Sequence, residues 1–213
     1  MSSNKTYRTW VFLGLLSKAA LAQQLPQSVT IVVYDSAHVR AKTLDRTEHI
    51  AASILQTAGL QLRWGTGVLQ DLVDLGTDFT AYSPGECENG PMSAILRVQI
   101  LSRAPSGFAP QAVGYSLPCA KHGIQVTIFA DRAAAVCERG APTFGRVLGY
   151  AIAHELGHVL LHSNAHEPAG LMKATWSERD WQRAAVSIIP FSPTDVQRIS
   201  ALLQRVSDGG ASE

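Results

Sequence analysis

"AIAHELGHVLLHSNAHEPAGLM", residues 151 to 172, holds four histidines within thirteen positions, and the first two frame a glutamate as H-E-L-G-H. Around them Val147, Leu148, Ala151, Ile152, Leu156, Val159 and Leu160 cover more than one face of a helix running from Thr143 to about Leu161, which predicts a largely buried element. On that helix His154 and His158 project from one face about a turn apart, so both imidazoles can approach a single ion at about 2.0–2.1 Å. Glu155 lies beside the same face, placed to take a proton from a metal-activated water and return it to a leaving amine. The bland alternative is two ordinary helix histidines flanking a surface glutamate. It would bury a charge and several polar nitrogens that then need partners.

The third ligand is constrained by helix geometry. If the helix ran on through His162, that residue would lie about 12 Å along the axis from His154, at about 1.5 Å per residue. His162 therefore reads as a C-terminal residue facing the negative end of the helix dipole. Ser163 and Asn164 can end the helix, because Asn tolerates the left-handed conformation of a C-cap. A reversal there brings His166 back to the pair, with Glu167 and Pro168 fixing the exit. Glu178, twenty residues after His158 and near a helix start, is a rival because that spacing resembles the glutamate-ligand branch of HExxH peptidases, and His162 or water remain alternatives.

Upstream, the chain alternates strands and helices. "VTIVVY" (29–34) is β-branched and short, a buried strand. Ala41 to Ala58 has helical spacing and Gly59 stops it, before a strand in "LQLRW" (60–64). Residues 65–91 are turn-rich, and strands follow at 93–101 and 123–129. A shorter one at 112–117 lies between them and reads as an edge strand, where a peptide could dock by strand addition. Ser177 with Asp180, and Ser192-Pro193 with Asp195, mark two later helix starts. In the last helix Val196, Ile199, Leu203 and Val206 form one apolar stripe. The expected fold is α/β (α+β), with a mixed sheet of four or five strands.

With 213 residues and 46% hydrophobic content the chain can build one sizeable core. With a net charge of +1 nothing in the balance points to a polyanion-binding face, so no nucleic-acid partner is expected, and the chain reads as a monomer. Lys5 and Arg8 precede "WVFLGLL", and "ALA" at 20–22 offers a cleavage site. Residues 1–22 read as a signal peptide, 23–207 as one domain and 208–213 as a disordered tail. The apolar run is shorter than the roughly 20 residues of a membrane span, so a secreted or periplasmic protein without a permanent anchor is expected. Export permits one disulfide among Cys87, Cys119 and Cys137, and three pairs remain open.

The segment from His154 to Met172 resembles the active-site region of the metzincin clan of zinc metallopeptidases, whose pattern is H-E-x-x-H-x-x-G-x-x-H followed by a methionine-containing turn. His154, Glu155 and His158 match the first part, and Gly170-Leu171-Met172 resembles the Met-turn. Leu161 stands where the pattern has glycine, and Asn164 where it has the third histidine. The turn is thus expected to have moved, with Asn164 taking the conformational role of the glycine and His166 the ligand role. The resemblance implies a metzincin-like fold and Zn²⁺ on His154, His158 and His166. Glu155 would be the catalytic general base, and a peptide or protein the substrate. It also makes Met172 an apolar floor under the metal. The alternatives are a catalytically inactive metal-containing binding module of the same fold, or a zinc hydrolase of another amide such as cell-wall peptide. Trp176 and Trp181 read as packing residues near the turn, with Trp176 a candidate pocket wall. Tyr115 reads as ordinary strand packing, and His38, His49 and His122 as solvent-facing.

Overall fold

A computed structural model describes residues 28–68, 95–120, 123–138 and 142–209. The first strand, β1 (Ser28–Asp35), buries Val29, Ile31 and Val33 at every second position, as its β-branched alternation requires. It is followed by α1 (Ala41–Gln56) and β2 (Gln61–Thr66), and β2 lies parallel to β1 with Val29 opposite Leu62. Next come β3 (Ile95–Leu101), β4 (Gly114–Ser116) and β5 (Val126–Phe129), completing one five-stranded sheet in the order β2-β1-β3-β5-β4. Strands β1, β3 and β5 are mutually parallel neighbours. Among the described residues only β4 is antiparallel, with Tyr115 opposite Thr127, and it forms one edge. The mixed sheet and its short edge strand are those expected from sequence.

Among the described residues four helices follow β5: α2 (Ala130–Glu138), α3 (Phe144–Leu160), α4 (Glu178–Val186) and α5 (Pro193–Gly209). Helix α1 packs along α3, and α3 also lies against β4 and β5. The approach of α1 to α3 is close because Gly149 has no side chain; a Cβ there would stand 2.7 Å from that of Ile50. Ile31, Ile54, Ile128 and Ile152 meet in the resulting core at 0–1% exposure. Each such side chain removed from water contributes about 1.5–3 kcal/mol.

Local signals account for most of the helix ends. Gly59, at φ +81°, ends α1 in a Schellman turn: its N–H reaches the Gln56 carbonyl (2.9 Å), and Leu60 N–H reaches that of Leu55 (3.3 Å). Ser177 and Asp180 form a capping box at the start of α4. Ser192 and Asp195 exchange the same two contacts at the start of α5. Ile199 and Leu203 of the apolar stripe are buried and Val196 half-buried; the side chain of Val206 lies outside the described residues. Helix α2 was not anticipated, since it leaves β5 with no intervening turn residue and its alanines carry helix propensity but little periodicity. Cys137 is a free thiol whose pKa burial raises, and Cys119 is disulfide-bonded. Cys87 and the expected signal peptide lie outside the described residues, as does most of the turn-rich segment. Among the described residues no helix is long and apolar enough to cross a membrane.

Candidate metal centre

Helix α3 is buried along almost its whole length, and the core holds its register so that His154 and His158 face one cavity. Each donates its Nδ1–H to a backbone carbonyl: His154 to Leu171 and His158 to Ser163, both at 2.8 Å. A carbonyl can only accept, so the proton of each neutral ring sits on Nδ1 and Nε2 is left with a bare lone pair. Those two Nε2 atoms face each other at 3.2 Å. A proton shared between them is disfavoured, because burial lowers the pKa of His154 to about 4 and lowers that of His158 as well. A cation resolves the opposed lone pairs. Two nitrogens at about 2.0–2.1 Å from one tetrahedral Zn²⁺ stand about 3.3 Å apart, close to the spacing present.

The reversal after α3 brings a third histidine to the pair. Its geometry corrects one expectation: the left-handed residue is His162, at φ +48°, and not Asn164, which is exposed. His162 N–H bonds the Val159 carbonyl (3.2 Å) and Ser163 N–H bonds that of His158 (3.1 Å), a Schellman turn with His at the position glycine usually takes. The helix ends at Leu160, close to the expected end near Leu161, and the left-handed residue comes two residues earlier than an Asn164 cap implies. After Ser163 the chain doubles back, and the His166 ring comes to 4.7 Å from that of His158 and 5.4 Å from that of His154. Donor atoms of His154, His158 and His166 all lie within 4.8 Å of one another, so the three could hold a metal ion. No other such group occurs among the described residues. Glu178 instead lies exposed in the first turn of α4, where it accepts from Gln182 Nε2. His38 and His49 are exposed, and His122 lies outside the described residues.

Residues 170–172 form a turn whose Leu171 carbonyl meets the His154 ring. Gly170 adopts φ +81°, Leu171 N–H bonds the Pro190 carbonyl (3.1 Å), and Glu167 N–H bonds that of Met172 (2.8 Å). Met172 is 1% exposed and packs its sulfur against Gly157 of α3, where it makes an apolar floor.

Glu155 is 9% exposed, and its pKa is pushed up to about 7 by burial, with a hydrogen bond from Ser116 opposing. That bond, Ser116 Oγ–H to Glu155 Oε2 at 2.8 Å, comes from the edge strand β4. Sequence reasoning missed Ser116, and its only signal was membership of the short edge strand. A cavity of about 390 Å³ opens between β4 and the segment after the turn. Its lining includes Tyr115 and Ser116 of β4, His154, Glu155, His158 and His166, and Lys173, Trp176 and Trp181. Trp176 stacks obliquely on Trp181 (4.7 Å) and edge-on to Tyr150 (5.2 Å). Both tryptophans thus pack and wall the cavity. Tyr115 stacks on Phe108 at 4.9 Å, the strand packing expected of it, while also meeting the cavity. The indole wall is held from behind by Arg146 and Tyr150. Arg146 donates to the carbonyls of Ala184 and Ser187, and Tyr150 Oη–H to that of Ser187 (2.7 Å).

No protein-family model and no curated protein matches the chain. Solved structures do. One is a zinc-dependent peptidase from Methanocorpusculum labreanum (strain Z), with TM-score 0.49, 11% identity, and coverage of 79% of this chain and 99% of that one. Another is archaemetzincin from Methanopyrus kandleri, with TM-score 0.48, 15% identity, and coverage of 84% and 97%.

Proposed function

We propose that this chain is a zinc-dependent metallopeptidase, with His154, His158 and His166 as metal ligands and Glu155 as general base. The observation that carries the reading is the pair of bare Nε2 atoms opposed at 3.2 Å, with a buried carboxylate on Glu155, the residue after the first of them. Zn²⁺ bound there would act as a Lewis acid on a peptide carbonyl and make water a stronger nucleophile. Leu171 and Ser163 hold the two helix imidazoles in the tautomer that leaves Nε2 free for the ion. Glu155 accepts the proton of the attacking water and gives it to the departing amine nitrogen as the C–N bond breaks. Its sheltered site keeps the base close to neutral pKa, where it can both take and return a proton.

Substrate binding follows from the edge. Phe129 N–H bonds the Val113 carbonyl and Leu117 N–H that of Gln125, so the backbone groups of Gly114 and Ser116 point away from β5. An extended peptide can add to that edge and pass its carbonyl over the histidines. Export is part of the same proposal, supported by Lys5, Arg8 and the apolar run after them.

The test is metal analysis and peptide-library cleavage by the chain from Gln23 onward, beside Glu155→Gln. Stoichiometric zinc in both proteins, with cleavage reduced by about 10²-fold or more in the variant, is expected. Equal cleavage by the two would overturn the assignment of the base. Bound zinc without cleavage of any peptide would favour a binding module.

A further inference from the structure

We infer that Ser116 is a positioning residue for Glu155, an inference that rests on the peptidase reading of the site. The contact joins residues 39 apart in sequence, from the edge strand to the middle of α3. It exists because β4 lies so close to the helix. Gly114, two residues earlier and on the same side of the strand, has no side chain; a Cβ there would stand 3.3 Å from Glu155 Cγ and 2.7 Å from the Thr127 carbonyl oxygen.

A glutamate's last torsion is broad and roughly two-fold, so a free carboxylate presents either oxygen. With Oε2 anchored by the Ser116 hydroxyl, Oε1 is left to take the proton from water. When Oε1 carries that proton, the hydroxyl still donates to Oε2, and the contact need not break at either stage. It also ties the base to the strand whose outward backbone groups meet the substrate. Removing the hydroxyl leaves those groups in place, so the loss belongs in kcat and not in KM.

Zinc-loaded wild type, Ser116→Ala and Ser116→Thr test this. The alanine variant is expected to keep its zinc and its KM within about twofold while kcat falls by about 10- to 100-fold, and threonine, which restores a hydroxyl, recovers most of the rate. An alanine variant that matches wild type, or one that changes KM alone, overturns the inference. Crystal structures of the zinc-loaded wild type and Ser116→Ala give a readout free of turnover: the Glu155 carboxylate should leave its wild-type position in the variant. An unmoved carboxylate overturns the positioning role whether or not any peptide is cleaved. A moved carboxylate in a protein that cleaves nothing supports the contact and removes the peptidase reading instead.

Discussion

The sulfur of Met172 lies 2.5 Å from the point where a Cβ on Gly157 would stand. The turn that carries Met172 also presents the Leu171 carbonyl to His154, so helix, floor and ligand orientation share one contact. Gly157→Ala is expected to overpack this seam, costing about 1–3 kcal/mol and moving the Leu171 carbonyl away from His154. Thermal unfolding and zinc titration check it: both stability and affinity should fall. Met172→Leu, close in volume, should cost less than about 1.5 kcal/mol.

His166 is the exposed member of the triad, and its contribution is separable from the fold. His166→Ala should weaken zinc binding by about 100-fold or more in competition with a chelator, because loss of a ligand exceeds the usual effect of losing a partner behind one. Glu178→Ala should leave affinity unchanged. Zinc held normally by the first variant and lost by the second would reverse the ligand assignment.

Stability of the metal-free protein should carry the signature of three buried groups. His154 is depressed from 6.5 to about 4, and His158 is also depressed, so the unfolded chain binds their protons first. Both contributions are complete above about 6.5, and that of His154 is lost as pH falls toward about 4. Glu155, raised from 4.5 to about 7, works the other way: its contribution is complete below about 4.5 and is lost as pH rises toward about 7. Between about pH 4.5 and 6.5 the His154 and Glu155 effects therefore oppose each other, and that of His158 acts with His154. Glu155→Gln removes the opposing group. Melting curves of the metal-free variant between pH 4 and 6.5 should therefore climb more steeply than those of wild type.

A second pH effect belongs to Asp180. Burial acts to raise its pKa, but the Lys173 ammonium at 2.5 Å and the Ser177 hydroxyl and N–H outweigh that and bring it to about 2. A depressed carboxylate contributes stability above its unfolded value of 3.8 that is lost as pH falls through about 2. Asp180→Asn should flatten this part of the acid-unfolding curve and loosen the segment after Met172. Acid titration followed by tryptophan fluorescence reads both, since Trp176 lies between Lys173 and Asp180 and Trp181 directly follows Asp180.

Much of the fold was legible because its signals are short. The alternation of Val29, Ile31 and Val33, the stop at Gly59, and the boxes at Ser177 and Ser192 each act within one turn or one strand, where neighbouring residues already determine the local geometry. The i, i+4 spacing of His154 and His158 likewise puts two imidazoles on one helix face wherever that helix lies. Helix α2 escaped because nothing punctuates its start after Phe129. Asn164 was expected to make the left-handed turn, on intrinsic preference, and His162 makes it. Two backbone bonds from His162 and Ser163 close the helix there, while Ser163 also receives the His158 Nδ1–H, so the reversal is locked by the site it serves. The meeting of Ser116 with Glu155, of Met172 with Gly157, and of His166 with the helix pair joins segments separated along the chain. Sequence supplied the chemical types and the local spacings. Which of those groups touch was decided by packing, because distance across a fold depends on how sheet and helices seat together and not on any residue's own preference.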